Sequence, residues 1–120
     1  MDAPSPAVLV VDDDPSIRLL CRVNLELDGW PVLDAATLDE ARALLAKGDV
    51  GIVLLDVHVG DGSGSELLGE IRRAYPDIRV AMLTGSVGST APNGGAVPDA
   101  VIGKPFTLEK LRTTVLELAR

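Results

Sequence analysis

Short apolar runs alternate with stretches of helical period along nearly the whole chain. Ala7-Val8-Leu9-Val10-Val11 is continuous and rich in β-branched residues, the pattern of a strand covered on both faces. Gly51-Ile52-Val53-Leu54-Leu55 and Ile78-Arg79-Val80-Ala81-Met82-Leu83 have the same character. Weaker runs from Trp30 to Ala35 and at Ala100-Val101-Ile102 predict strands nearer the sheet edges. The intervening helices carry start and stop chemistry. Asp14 can cap the first, with Pro15 at the first helical position, and Gly29 ends it. Thr37 and Glu40 have capping-box spacing for a second helix that stops near Lys47-Gly48. A third is predicted from Ser65 to Tyr75, closed by Pro76. Thr107 can cap the last, in which Leu108, Leu111, Val115 and Leu118 form one apolar stripe.

Strand and helix alternating over this length predict an α/β fold: a doubly wound, five-stranded parallel sheet with right-handed crossovers and helices on both faces. The segment from Gly85 to Asp99 interrupts the rhythm. Its composition, with four Gly, two Pro, two Ser and one Asn, predicts a fourth helix that is short or replaced by a loop. Residues 1–6 are expected to be a flexible leader and 7–120 a single domain.

Composition narrows the picture further. The 120 residues carry a formal charge of −7, so clustered cations for gripping a phosphate backbone are missing and direct nucleic-acid binding is not expected. Apolar residues make up 47% of the chain, but Trp30, Tyr75 and Phe106 are its only aromatics, so the core must be aliphatic. The one cysteine, Cys21, excludes an internal disulfide and a Cys-rich zinc site. No basic, apolar leader resembles a signal peptide, and no apolar run approaches the ~20 residues of a membrane span. The expectation is a cytoplasmic domain.

Open parallel sheets place ligands at the carboxyl ends of their strands. There the chain has Asp12-Asp13-Asp14, Asp56, Thr84 and Lys104-Pro105. Asp14 is accounted for as a helix cap. Asp12, Asp13 and Asp56 bring three negative charges, whose crowding should raise some of their pKa values, and a divalent cation with Lys104 would balance them. Hard carboxylate oxygens suit Mg²⁺, or Mn²⁺ in its place, better than zinc. A carboxylate beside such a cation, an ammonium and a hydroxyl is equipped to accept a phosphoryl group. His58 has no second zinc donor near it in sequence, and Cys21 falls among apolar residues of the first helix. Asp61-Gly62-Ser63-Gly64 fits neither a Walker nor an EF-hand spacing and is expected to be a turn.

These residues together resemble the receiver domain of bacterial two-component response regulators, over roughly residues 7 to 119. The matching pieces are Val8-Leu9-Val10-Val11-Asp12-Asp13-Asp14-Pro15-Ser16-Ile17-Arg18, Val53-Leu54-Leu55-Asp56, Asp61-Gly62-Ser63-Gly64, Met82-Leu83-Thr84 and Lys104-Pro105-Phe106. The resemblance implies the flavodoxin-like strand order 2-1-3-4-5 and a signalling switch, not an enzyme. It implies that Asp56 is the phosphoacceptor, and that Asp12, Asp13, Asp56 and the backbone carbonyl of His58 hold Mg²⁺. It further implies that Thr84 and Lys104 contact the phosphoryl oxygens, and that the donor is a phosphohistidine on a sensor kinase or phosphotransfer protein. The chain departs from the family at Gly60, where proline is frequent, at Val101, where an aromatic is usual, and in the Gly/Pro-rich segment.

The first helix has an apolar arc wider than one core-facing stripe needs: Ile17, Leu19, Leu20, Cys21, Val23, Leu25 and Leu27. Its surplus, with Arg18 and Arg22, is read either as part of a docking surface for the phosphodonor or as ordinary exposed hydrophobes. Two alternatives stay open on sequence alone. One is a phosphorylation-independent interaction module of the same fold; the other is a small haloacid-dehalogenase-like phosphatase using Asp12-x-Asp14.

Overall fold

The structure is a computed structural model describing residues 6–85 and 96–120. In chain order its elements are β1 (Ala7–Val11), α1 (Pro15–Leu27), β2 (Val32–Ala35), α2 (Leu38–Lys47), β3 (Val50–Asp56), β4 (His58–Val59), β5 (Gly62–Ser63), α3 (Gly64–Ala74), β6 (Arg79–Thr84), β7 (Ala100–Gly103) and α4 (Leu108–Leu118). The large sheet has the order β2-β1-β3-β6-β7, parallel throughout, which is 2-1-3-4-5 when its own strands are counted. The expectation for the missing or shortened helix falls on residues 86–95 and lies outside the described residues, as does most of the leader.

Both faces of the sheet are covered, which explains the unbroken apolar runs. Leu9, Val11, Val53, Leu55, Val80 and Met82 pack toward α2 and α3. Their neighbours Val8, Val10, Ile52, Leu54, Ala81 and Leu83 pack toward α1 and α4. The period-2 alternation of a strand thus divides each run between two aliphatic cores.

The helix ends follow their predicted chemistry. Asp14 accepts a hydrogen bond from the Ser16 N–H at 2.8 Å, and Thr37 and Thr107 accept from the N–H groups of Glu40 and Lys110. Gly29 takes the left-handed φ of +93° after α1. At the start of the second helix Glu40 reaches back past the Thr37 cap and accepts from the Ala36 N–H at 2.7 Å.

β2 starts at Val32, not Trp30, because Pro31 offers no N–H to the ladder; β3 and β6 end on Asp56 and Thr84, as expected. The expected turn over Asp61-Gly62-Ser63-Gly64 is instead half of a small antiparallel hairpin. Val59 pairs with Gly62 and His58 with Ser63, and α3 begins directly at Gly64. Cross-chain struts complete the frame. Arg112 grips Asp28 through two 2.7 Å bonds. Arg72 on α3 donates to the carbonyls of Ile78 and Val97 and pairs with Asp99, whose carboxylate also accepts from the Val80 N–H.

Candidate functional site

The parallel sheet brings the carboxyl ends of β1, β3, β6 and β7 to one rim. Asp12 follows β1, Asp56 ends β3, Thr84 ends β6 and Lys104 follows β7. Asp56 pairs in register with Leu83, so Thr84 lies one residue beyond its neighbour across the β3–β6 ladder. Thr84 is buried, and its carbonyl accepts from the Lys104 N–H at 2.7 Å.

Asp12 is fully buried, and each of its oxygens is satisfied. Oδ1 accepts from the Asp14 N–H at 2.9 Å and Oδ2 from the Lys104 ammonium at 2.8 Å. Its main-chain carbonyl accepts from Arg18 at 2.8 Å. Lys104 also lies 3.5 Å from Oδ2 of Asp56, so a single ammonium is shared by two carboxylates on adjacent strands. The expected crowding shows at Asp56, whose pKa stands above the ordinary aspartate value. Burial is the main cause and the Asp12 charge the second, with Lys104 and the His58 N–H opposing them. Burial alone would lower the pKa of Lys104, but the hydrogen bond and charge of Asp12, helped by Asp56, hold it above the ordinary lysine value.

Carboxylate oxygens of Asp12, Asp13 and Asp56 lie within 4.8 Å of one another. This is a hard-oxygen donor set, and with Lys104 counted it keeps a formal surplus of two negative charges, which one divalent cation matches. The residues therefore fit Mg²⁺ in kind and in charge. His58 has an exposed side chain outside this group, so its expected contribution is confined to its backbone. Asp14 is exposed and occupied as the α1 cap, which leaves the Asp12-x-Asp14 pair of the phosphatase alternative without its second acid.

Several features of the site carry no signal in residue type. Asp13 accepts from the backbone N–H of Gly60 at 3.0 Å. A Cβ on Gly64 would fall 2.0 Å from the Asp56 carbonyl oxygen, so only glycine lets α3 start against the end of β3. The surplus apolar residues of α1 are exposed as expected, Leu19 and Leu27 most of all, at 62% and 79%. Arg22, expected on the docking surface, is half-exposed and braced against β2. It bonds Asp34 at 2.7 Å and the Val32 carbonyl at 2.9 Å, because β2 offers it a carboxylate and an edge carbonyl.

An open parallel sheet with a carboxylate triad, a shared ammonium and a buried threonine at its carboxyl rim defines a class: phosphoryl-accepting domains of the doubly wound type. The pattern of the response regulator receiver domain matches residues 8–116, and the chain belongs to that family. As a receiver domain the chain is classed as a phosphoacceptor switch.

Among curated proteins, the chain is 34% identical over 114 residues to the response regulator protein PilR of Pseudomonas aeruginosa, covering 93% of this chain and 26% of PilR. It is 36% identical over 120 residues to the sensor kinase CckA of Brucella abortus, covering 95% of this chain and 12% of CckA. The crystal structure of a CheY-like receiver domain protein from Methanospirillum hungatei superimposes with a TM-score of 0.88 at 30% identity, covering 95% and 93% of the two chains. The chain thus spans about a quarter or less of these two curated relatives. Among the described residues, no helix is long and apolar enough to cross a membrane.

Proposed function

We propose that this domain accepts a phosphoryl group on Asp56 from a phosphohistidine donor in a two-component phosphorelay, with Mg²⁺ held by Asp12, Asp13, Asp56 and the His58 carbonyl. The observation that supports it best is the placement of Lys104 between Asp12 and Asp56, at 2.8 and 3.5 Å, beside a third carboxylate within 4.8 Å. A carboxylate oxygen of Asp56 attacks phosphorus, the P–N bond to the donor imidazole breaks, and the departing nitrogen keeps the bonding pair and is protonated. Bound Mg²⁺ supplies neutralisation of the phosphoryl oxygens. Lys104 turns from Asp12 and Asp56 toward one of those oxygens, and the Thr84 hydroxyl donates to another. The new group adds about −1.5 to −2 charge at the rim, which the Lys104 ammonium is already placed to meet.

The donor docks against α1, where Leu19, Leu20 and Val23 are exposed on the helix that starts at the rim. Arg22, on the same helix and braced by its bonds to β2, stays partly exposed beside them. Intact mass after incubation with Mg²⁺ and a small acyl phosphate tests the reading. A single phosphoryl adduct, absent in Asp56→Asn and absent without metal, is expected. An adduct that survives Asp56→Asn refutes the assignment of the acceptor. Folded protein that takes no adduct from acyl phosphate or from phosphohistidine donors would point to the phosphorylation-independent module.

A further inference from the structure

The three carboxylates of the site are held in three different ways. Asp12 is fully buried and fixed at both oxygens. Asp56 is largely buried at a strand end, with Lys104 and the His58 N–H against it. Asp13 is exposed, and its carboxylate is tied by the N–H of a residue 47 positions away, Gly60, at 3.0 Å from Oδ2.

That donor belongs to the turn of the β4–β5 hairpin. With Val59 paired to Gly62, residues 60 and 61 are the two central turn positions. Gly60 has φ +59°, whereas Asp61 is not in the left-handed region. A two-residue hairpin closes through its flanking pair, so the first central N–H is not consumed inside it and points outward. Nothing lies within 4 Å of a Cβ built on Gly60, so glycine is favoured there by backbone conformation and not by crowding. The hairpin itself is anchored. Val59 is buried in the α2–α3 core, and a Cβ on Gly62 would strike the Leu38 side chain.

We propose that Gly60 is a positioning residue for the metal site: its N–H holds the exposed Asp13 carboxylate toward Asp12 and Asp56 before a cation binds. This rests on the Mg²⁺ site proposed above. An ionised carboxylate has about four acceptor positions, so the Gly60 bond leaves the other oxygen for a metal. Mg²⁺ demands near-octahedral oxygen geometry, and a ligand already oriented gives up less rotamer freedom on binding. The hairpin leaves β3 immediately after Asp56, so the segment that carries the phosphoacceptor also fixes a ligand delivered by β1.

The test is a Mg²⁺ titration followed by NMR at the Val57 amide, in the native chain and in Gly60→Pro and Gly60→Asn. Proline removes the N–H and cannot take φ +59°; asparagine keeps the donor and tolerates that φ. Loss of an outer hydrogen bond to a metal ligand weakens affinity by about 10-fold or more. The expected result is therefore a loss of that size in Gly60→Pro and near-native affinity in Gly60→Asn. An amide-to-ester change at the Val59–Gly60 linkage removes the N–H while leaving φ free. It carries the comparison if Gly60→Pro does not fold. In metal-free protein the Gly60 amide proton should also shift upfield in Asp13→Ala, as the carboxylate acceptor is lost. No Mg²⁺ response in the native chain defeats the metal site itself. Native-like affinity in the proline and ester forms, equal losses in all variants, or a Gly60 amide indifferent to Asp13→Ala would overturn the positioning role alone.

Discussion

An alanine at position 64 would place its Cβ 2.0 Å from the Asp56 carbonyl oxygen, 3.0 Å from the Asp56 carbonyl carbon and 3.2 Å from the Val57 Cα. All three are backbone atoms, so no side chain can swing aside. Relief requires a displacement of about 1 Å at the junction of β3 and α3, given the close packing of interiors. That junction is pinned by the Val57 N–H on the Leu83 carbonyl at 3.1 Å and the Gly64 N–H on the Val57 carbonyl at 2.7 Å. Overpacking strain of about 1–3 kcal/mol adds to about 1–3 kcal/mol for a buried hydrogen bond left unmade. The better helix propensity of alanine returns at most about 1 kcal/mol. The expected net loss is about 3 kcal/mol, a fall in Tm of about 10 °C for a chain of this length. Gly69→Ala is the control. It lies within α3, and the nearest atom to its Cβ is the flexible Arg73 guanidinium at 3.4 Å, so it should gain about 0.5–1 kcal/mol. Urea and thermal unfolding of the two variants measure both signs. If Gly64→Ala unfolds at or above the native midpoint, the close approach of α3 to the phosphoacceptor strand is wrong.

Lys104→Met leaves the buried Asp12 charge without its cation and should cost about 2–3 kcal/mol in urea unfolding, with part of the loss regained when Mg²⁺ is added. Asp56 has a raised folded pKa, so its ionised form opposes folding above that pKa, and the penalty fades as pH falls toward the unfolded value of about 3.9. Asp56→Asn should therefore be the more stable form at pH 7 without metal, and the difference should close on acidification; equal midpoints at pH 7 would contradict this. Arg72→Ala removes the strut between α3 and the approach to β7. It should cost about 1–2 kcal/mol and speed hydrogen exchange at the Asp99 amide, which bonds the Val80 carbonyl at 2.8 Å.

Much of this architecture is legible in local pattern because its causes are local. The runs at 7–11, 51–55 and 78–83 are apolar at every position facing either core, and Asp14, Thr37 and Thr107 cap helices through bonds spanning two or three residues. Asp12, Asp13, Asp56, Thr84 and Lys104 stand out because polar residues directly follow or end those runs. The order of the strands is a non-local property and came with the family resemblance, not with periodicity. The β4–β5 hairpin is too short for a period of two to register, and its Gly and Ser suggested a turn. The Arg22–Asp34 pair is likewise invisible to local pattern: helical spacing sets Arg22 beside exposed leucines, and Asp34 lies on the next strand. Gly60 and Gly64 act through a backbone N–H and the absence of a Cβ, which residue type alone does not reveal.

Cys21 gives this domain a built-in reporter of its own opening. The thiol is fully buried between α1 and the sheet, and burial, with the Asp12 charge second, pushes its pKa up to about 11. The folded chain therefore presents almost no thiolate to an alkylating dye, whereas the unfolded chain presents an ordinary one. Labelling in native buffer then counts excursions in which α1 leaves the sheet. Because α1 also bears the exposed leucines proposed to receive the donor, slower labelling in a donor's presence would register its grip on that helix without a tag, a mutation or a phosphoryl group.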